Sequence, residues 1–95
     1  MVGGILILSL KVLILMNDLL ANLDKLHTTE LGIMRIRRNL GLDCSDVVDW
    51  CKEKIKVSEI NHKGKNWYAT FNECIITINA RSFTIITAHK KRRKI

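Results

Sequence analysis

The side chains best suited to chemistry in this chain are one histidine and a set of basic and hydroxyl residues. Among these side chains, the pattern itself points to His27 just before a helix and to Arg35 and Arg38 on one face of that helix. Histidine exchanges protons near neutral pH, and the guanidinium group of arginine fits a phosphate. Such a set suits metal-independent cleavage of RNA, in which one group takes the 2′-hydroxyl proton and cations stabilise the transition state. A lone histidine at a helix boundary is more often structural, so the sequence leaves open whether the protein is an enzyme.

A second group of side chains could bind nucleic acid without cleaving it. Its members are Arg37, Tyr68, Lys90, Lys91, Arg92 and Arg93. Arginine can hold phosphates, tyrosine can stack on a base, and a terminal basic run attracts any polyanion. The formal net charge is +7, and without the five basic residues at 90–94 it falls to +2. The body of the domain is therefore nearly neutral, and the basic character lies mostly in the tail.

Several common classes of site have no counterpart in the sequence. There is no Gly-rich phosphate loop, nucleophile elbow, metalloprotease helix motif or kinase signature. Cys44, Cys51, Cys74 and the scattered histidines lack the usual ligand spacings of zinc sites. We therefore expect no metal and no other cofactor. An odd number of cysteines favours free thiols in a reducing, cytoplasmic compartment.

Residues 1–15 are almost wholly apolar and have three interpretations. The stretch is shorter than the roughly 20 residues of a membrane-spanning helix, Lys11 interrupts it, and it lacks the features of a secretory signal. Met16-Asn17-Asp18 looks like a natural start, so residues 1–15 could come from a mis-chosen start codon. The other interpretations are a membrane-associating segment and an extra element packed on the domain. A membrane partner is expected only if residues 1–15 are native.

Apolar stripes at helical spacing predict three helices in the first part of the chain. The first begins at Asn17 or Asp18. The second runs from about Glu30 to Asn39, with Thr28 or Thr29 as its N-cap. Glycine at the end of this second segment tolerates the left-handed cap.

The charge distribution marks the third helix, because acidic residues come early and lysines late, as the helix dipole favours. We expect Asp43 or Ser45 to be its N-cap. Cys44 and Cys51 are seven residues apart, about two turns. They can therefore share one face of this helix as small buried side chains.

After Lys56 the hydrophobic period changes to two, which is typical of strands. The predicted strands are Val57 to Asn61, Lys65 to Phe71, Cys74 to Asn79 and Phe83 to Ala88. Their short connections favour hairpins and an antiparallel meander. One face is apolar and needs a cover, so the fold class is α+β, with two or three N-terminal helices on one face of a three- to four-stranded sheet. The chain then divides into an apolar extension (1–15), one domain (16–89) and a basic tail (90–95).

Five short segments resemble a known bacterial family. They are Asn22 to Gly32, Arg35 to Leu40, Gly64 to Tyr68, Ile76 to Ala80 and Thr84 to Ala88. Together they resemble domain-of-unknown-function family 3781, a family of small bacterial proteins, over about residues 17–89. That family has no assigned activity, so the resemblance implies a fold more than a function.

A weaker resemblance is to the small RelE-type and barnase-like ribonucleases. It rests on an early histidine, an arginine-bearing helix, a second helix and a meander that ends in an Ile-Thr strand. This resemblance implies a toxin-type ribonuclease with six catalytic candidates, which are His27, Arg35, Arg38, Lys65, Thr84 and Thr87. It is a likeness of fold, and a fold by itself does not fix function.

Two functions of different classes fit the sequence. The first is an RNA-interacting protein of RelE-like architecture, which in its sharpest form is a metal-independent ribonuclease. The second is a non-catalytic interaction or accessory domain with a protein partner, or a homodimer joined through a sheet edge. The near-neutral body favours the second function unless the arginines and Lys65 converge on one surface. The ribonuclease hypothesis requires His27, Arg35 and Arg38 to lie within reach of the polar face of the sheet. If they point to opposite sides, that hypothesis fails.

Overall fold

The computed structural model describes residues 18–91. A 3₁₀ helix (Leu20–Lys25) is followed by α1 (Glu30–Leu40), α2 (Val47–Lys56), β1 (Glu59–Lys63), β2 (Asn66–Phe71), β3 (Cys74–Asn79) and β4 (Ile85–Lys90). The strands form one antiparallel sheet in the order β1-β2-β3-β4. This meander and its helical layer confirm the predicted α+β class. The interpretations of residues 1–15, and the candidates Arg92 and Arg93, lie outside the described residues.

The first predicted helix is a short 3₁₀ helix rather than an amphipathic α-helix. Asn22 has a non-helical backbone (φ −125°, ψ 29°), and its side-chain amide donates to the carbonyl of Asp18 at 2.8 Å. Asparagine side chains compete in this way with the helical ladder. The apolar spacing still has its effect, since Leu19 and Leu26 are both buried in the core.

Helix α1 has the caps that its sequence predicts. The hydroxyl of Thr29 accepts the amide of Gly32 at 3.0 Å, and Glu30 occupies the first turn, where the helix dipole favours a negative charge. At the other end Gly41 has a φ of +65°, and its amide donates to the carbonyl of Arg37. Glycine adopts this left-handed conformation at no steric cost, which is why the helix stops there.

The N-cap of helix α2 lies one residue after Ser45 and three residues after Asp43, the two predicted caps. The carboxylate of Asp46 accepts the amide of Asp49 at 2.9 Å, so Asp46 is the N-cap, and not Asp43 or Ser45. Cys44 therefore precedes the helix and does not share a face with Cys51, contrary to the prediction. Cys51 itself is fully buried, as a small apolar side chain would be.

The two central strands alternate as predicted. Trp67 pairs with Ile78, and Ala69 pairs with Ile76. All four side chains are buried beneath the helices. Their neighbours in sequence, among them Tyr68, lie on the opposite face. The period of two thus identifies the core face of β2 and β3 correctly.

The outer strands differ from their predicted bounds for local reasons. Strand β1 starts at Glu59 because Val57 caps α2 and the Ser58 hydroxyl donates to the carbonyl of Lys54 at 2.6 Å. Strand β4 starts at Ile85 because Phe83 has a positive φ of 60°. Strands β1 and β4 therefore each start two residues later than the sequence pattern predicts.

Strand β4 also contains a bulge that a strict period of two does not foresee. Thr77 pairs with Thr87, whereas the next residue of β3, Ile78, pairs with Ile85. Ile86 is therefore the extra residue and is 41% exposed, while Ile85 and Ala88 are both buried. A bulge bends its strand and re-aims the side chains that follow it.

The core lies between the helices and the inner face of the sheet, with α1 against β4 and α2 against β2. The largest fully buried side chains are Leu19, Val47, Cys51, Ile36, Ile55, Ile76, Ile78 and Ile85. None of the helices within residues 18–91 is long and apolar enough to cross a membrane.

Replacing Ile36 with alanine should lower the free energy of unfolding by about 2–5 kcal/mol, because the side chain is fully buried and its loss leaves a cavity. Met34 on the same helix is 65% exposed. Met34→Ala is therefore the matched control and should change stability by less than about 0.5 kcal/mol. Urea unfolding followed by circular dichroism measures both. Equal losses in the two variants would contradict the packing of α1.

The burial of the Cys51 thiol predicts a loss of stability in alkaline solution. Burial, and secondarily the charge of Cys44, raises the pKa of the Cys51 thiol from 9.0 to about 12. Between these values the unfolded chain has lost the proton and the folded chain keeps it. The unfolded state then binds fewer protons, so stability falls as pH rises through this window and is fully present below it.

In urea unfolding at about pH 8 and about pH 10, we expect the free energy of unfolding to fall more steeply for the natural protein than for Cys51→Ala. The difference can reach about 1.4 kcal/mol per pH unit. Parallel pH profiles for the two proteins would show that the Cys51 thiol is not protected by the fold.

Candidate functional site

The segment between the 3₁₀ helix and α1 lies alongside the start of β4. His27 forms a parallel bridge with Thr84. The amide of His27 donates to the carbonyl of Phe83 at 3.3 Å, and the amide of Ile85 donates to the carbonyl of His27 at 2.8 Å. Main-chain bonds therefore hold the histidine at a fixed place beside the sheet.

The side chain of His27 is oriented from both ring nitrogens. Nδ1 lies 2.9 Å from the carbonyl oxygen of Lys25. A carbonyl can only accept, so Nδ1 carries the proton, and in the neutral ring Nε2 is an acceptor. Nε2 lies 3.1 Å from the hydroxyl of Thr84, which therefore donates to it. The imidazole is held in one tautomer with its accepting nitrogen directed at a hydroxyl.

The hydroxyl chain continues into the turn between β3 and β4. The oxygens of Thr84 and Ser82 are 2.8 Å apart. Because Thr84 donates its proton to His27, the hydroxyl of Ser82 donates to Thr84. The side-chain oxygen of Asn79 accepts the amides of Arg81 and Ser82, each at 2.9 Å, and lies 3.2 Å from the hydroxyl oxygen of Ser82. We call the four side chains of His27, Asn79, Ser82 and Thr84 the His27 network.

Phe83, within this turn, has a strained backbone. Its φ of 60° is rare for an aromatic residue, and such a conformation costs of order 1–3 kcal/mol. Its amide donates to the carbonyl of Asn79 at 2.9 Å. Its ring lies 5.3 Å from that of Trp67, and the amine of Lys25 lies 5.5 Å from its centre. These contacts hold the residue in place, and strain of this kind clusters at functional sites.

A cleft of about 570 Å³ opens beside the His27 network. Gly64, Lys65, Asn79, Ala80 and Arg81 line it, and we call it the turn cleft. The amide of Ala80 donates to the carbonyl of Lys65 at 2.8 Å, which joins the β1–β2 and β3–β4 turns. The side chains of Lys65 and Arg81 are exposed. Within residues 18–91 neither is paired with a carboxylate, so the turn cleft is positively charged.

The arginines of α1 line a different depression. Arg35, Arg37 and Arg38 meet Leu31 and Met34 there, and we call this the arginine face. Arg37 donates to the carbonyl of Ser45 at 3.1 Å. Lys65 is not among the described residues that line this depression. Among the described residues, the arginines of α1 therefore do not converge with Lys65 on one depression.

The remaining candidates are spread over the sheet. Thr87 lies 3.5 Å from the side-chain amide of Asn39 on α1. Tyr68 lies on the outer face. Lys90 is the last residue of β4, at the opposite end of the strand from Thr84, and Lys91 follows it. Of the six catalytic candidates the structure joins His27 to Thr84, with Lys65 in the adjacent cleft.

Sequence reasoning missed Asn79, Arg81 and Ser82. An asparagine followed by a serine three residues later is a usable signal, because asparagine oxygens often accept from the backbone of their own turn. Arg81 had no such signal, since its place beside Lys65 depends on the pairing of β2 with β3. In the described part of the chain, no group of three or more His, Cys, Asp or Glu side chains is arranged to hold a metal ion.

The His27 network contains the parts of a proton-transfer site. A hydroxyl faces the accepting nitrogen of a ring whose other nitrogen is fixed by a third group, and this is the general arrangement of a base with its orienting partner. His27 is exposed and Thr84 is half-buried, and Asn79 belongs both to the His27 network and to the lining of the turn cleft. The site can therefore combine anion binding with proton exchange.

Comparison with known proteins finds a match among family models. No curated protein and no solved structure matches the chain, so nothing supports the resemblance to the RelE-type and barnase-like ribonucleases. A family model described as "Protein of unknown function (DUF3781)" matches residues 20–89. The match covers about three quarters of the chain, including the His27 network and the turn cleft. This chain belongs to the DUF3781 family of proteins of unknown function.

Proposed function

We propose that this protein binds single-stranded RNA, with the phosphate backbone in the turn cleft and a nucleotide against the His27 network. The observation that supports this most directly is that the turn cleft and the His27 network share Asn79. Asn79 lines the cleft beside Lys65 and Arg81, and the same side chain belongs to the His27 network. Cations for a phosphate and a fixed imidazole therefore occur together.

The charge of the turn cleft suits a phosphate for physical reasons. An exposed lysine supplies a point charge, and arginine can donate two parallel bonds to phosphate oxygens. Neither Lys65 nor Arg81 has a carboxylate partner within residues 18–91 that a ligand would have to displace. Binding would release counterions and would therefore weaken as salt increases.

The His27 network extends the proposal from binding to cleavage. Nε2 of His27 accepts from the Thr84 hydroxyl, and a ribose 2′-hydroxyl that displaces Thr84 would give its proton to the same nitrogen. The 2′-oxygen would then bond to the adjacent phosphorus while the bond from phosphorus to the 5′-oxygen breaks, and the leaving 5′-oxygen would take a proton from water. Lys65 and Arg81 would stabilise the charge that develops on the phosphate. This chemistry needs no metal. It rests on the cleft and not on a likeness to known ribonucleases.

RNA binding can be tested with the full chain by fluorescence anisotropy of a labelled single strand across a salt series. The double variant Lys65→Ala, Arg81→Ala should bind more weakly. The slope of log K against log salt should become shallower by about 1.4, because each single-strand phosphate contact contributes about 0.7. The matched control removes the same number of charges from the arginine face, as Arg35→Ala, Arg38→Ala. It should leave the slope unchanged.

The basic tail is present in all these proteins, so its contribution cancels in the comparison. A further variant with glutamine at all five positions of 90–94 isolates it. If the turn-cleft variant binds like the natural protein and the tail variant does not bind, the tail is the nucleic-acid feature and the proposal is wrong.

Cleavage is tested on the same samples by denaturing gel, with EDTA present. We expect cleavage to disappear in His27→Ala while RNA binding is retained, because the backbone bridge of residue 27 does not need the ring. Thr84→Val should remove the bond to Nε2 and alter the cleavage rate. Binding without cleavage by the natural protein would limit the function to RNA recognition.

A further inference from the structure

The two edge strands of the sheet differ in whether other parts of the chain hydrogen-bond to their outer side. Beside β4, the backbone of His27 pairs with Phe83 and Ile85. The hydroxyl of Thr28 donates to the carbonyl of Ile85 at 2.8 Å, and the side-chain amide of Asn39 donates to the carbonyl of Ala88 at 3.2 Å. Covering an edge in this way prevents other strands from pairing with it.

Strand β1 has no such cover among the described residues. It pairs with β2 on one side, and no strand within residues 18–91 lies on the other. Four of its five residues are exposed, and only Ile60 is half-buried. Val57, two residues before the strand, is an apolar side chain that is 74% exposed. The edge of β1 can therefore accept another strand.

The residues of β1 are complementary to their own copy. Glu59, Asn61 and Lys63 lie on the outer face, opposite Thr70, Tyr68 and Asn66 of β2, and Ile60 and His62 lie on the inner face. In an antiparallel pair, residues directly opposite each other share a face. A two-fold axis at Asn61 satisfies this rule. This axis sets Glu59 of each copy opposite Lys63 of the other, which gives two such pairs. It also sets Ile60 opposite His62.

Other registers leave residues of β1 unpaired or bring opposite faces of the sheet together. An axis at Ile60 pairs Glu59 with Asn61 and leaves Lys63 outside the strand of the second copy. An axis between two residues brings outer-face side chains against inner-face ones, which the sheet does not allow. Only the register centred on Asn61 pairs all five residues of β1 and gives two Glu–Lys pairs.

We propose that this protein forms a homodimer in which β1 pairs antiparallel with β1 of a second copy, centred on Asn61. The two four-stranded sheets then form one continuous sheet of eight strands. Five residues from each copy make a contact smaller than a standard protein interface, so the dimer is weak and depends on concentration. It is held by main-chain hydrogen bonds and by the two Glu59–Lys63 pairs.

Sedimentation velocity of the full chain, from about 10 µM to about 1 mM, tests this dimer in the range expected for a small interface. Lys63→Glu should weaken dimerisation by at least about tenfold, because two attractive pairs become repulsive. Glu59→Lys should do the same. The double swap Glu59→Lys, Lys63→Glu restores both pairs and should restore the dimer. Lys90→Glu, the same change at the end of the opposite edge strand, is the control and should have no effect.

Amide hydrogen exchange gives an independent reading, since the amides of β1 should become more protected as concentration rises. A protein that stays monomeric over the whole range would overturn the proposal. So would a dimer that Lys63→Glu leaves unchanged, or one in which the double swap fails to rescue the single changes. None of these three results depends on whether the protein binds RNA.

Discussion

The backbone of His27 is hydrogen-bonded on both sides of Thr84, and the position of the helical layer depends on that short pairing. It fixes the chain immediately before α1, where the Thr28 hydroxyl bonds to β4 and the Thr29 hydroxyl caps the helix. A Cβ at Gly32 would collide with the hydroxyl of Thr28, so glycine is what allows the first turn of α1 to approach this bridge. The same pairing covers the start of β4 and places an imidazole beside a hydroxyl.

Strain and irregularity are concentrated around this bridge. Phe83 has a positive φ, and the bulge at Ile86 follows three residues later. Both depart from a regular strand, and they flank Thr84 and Ile85, which His27 contacts. A regular β4 would keep a strict alternation through Thr84. The structure instead turns sharply at Phe83, and this brings the Thr84 hydroxyl to His27 and the Asn79 side chain to the turn cleft.

Features set by neighbours in sequence could be predicted, and those set by distant pairing could not. The alternation of Trp67 and Ala69 and the caps at Thr29 and Gly41 depend on local chemistry, and all are observed. His27 and Thr84 are 57 residues apart, so no local pattern brings them together. Whether the arginines of α1 converge with Lys65 could not be predicted from the sequence, since it also depends on tertiary packing. Burial of Ile36 against the sheet fixes the rotation of α1, and the arginines then line a separate depression.

His27 is held in one tautomer by Lys25 and Thr84, and the proposed site depends on this. Long-range nitrogen–proton correlation of the imidazole ring tests this directly, in the full-length protein at a pH where the ring is neutral. We predict that the proton is on Nδ1, because the Lys25 carbonyl can only accept. Thr84→Val should then leave Nδ1 protonated and shift the Nε2 resonance. A proton on Nε2 in the natural protein would contradict the hydrogen bond from Thr84, and with it the proposed site.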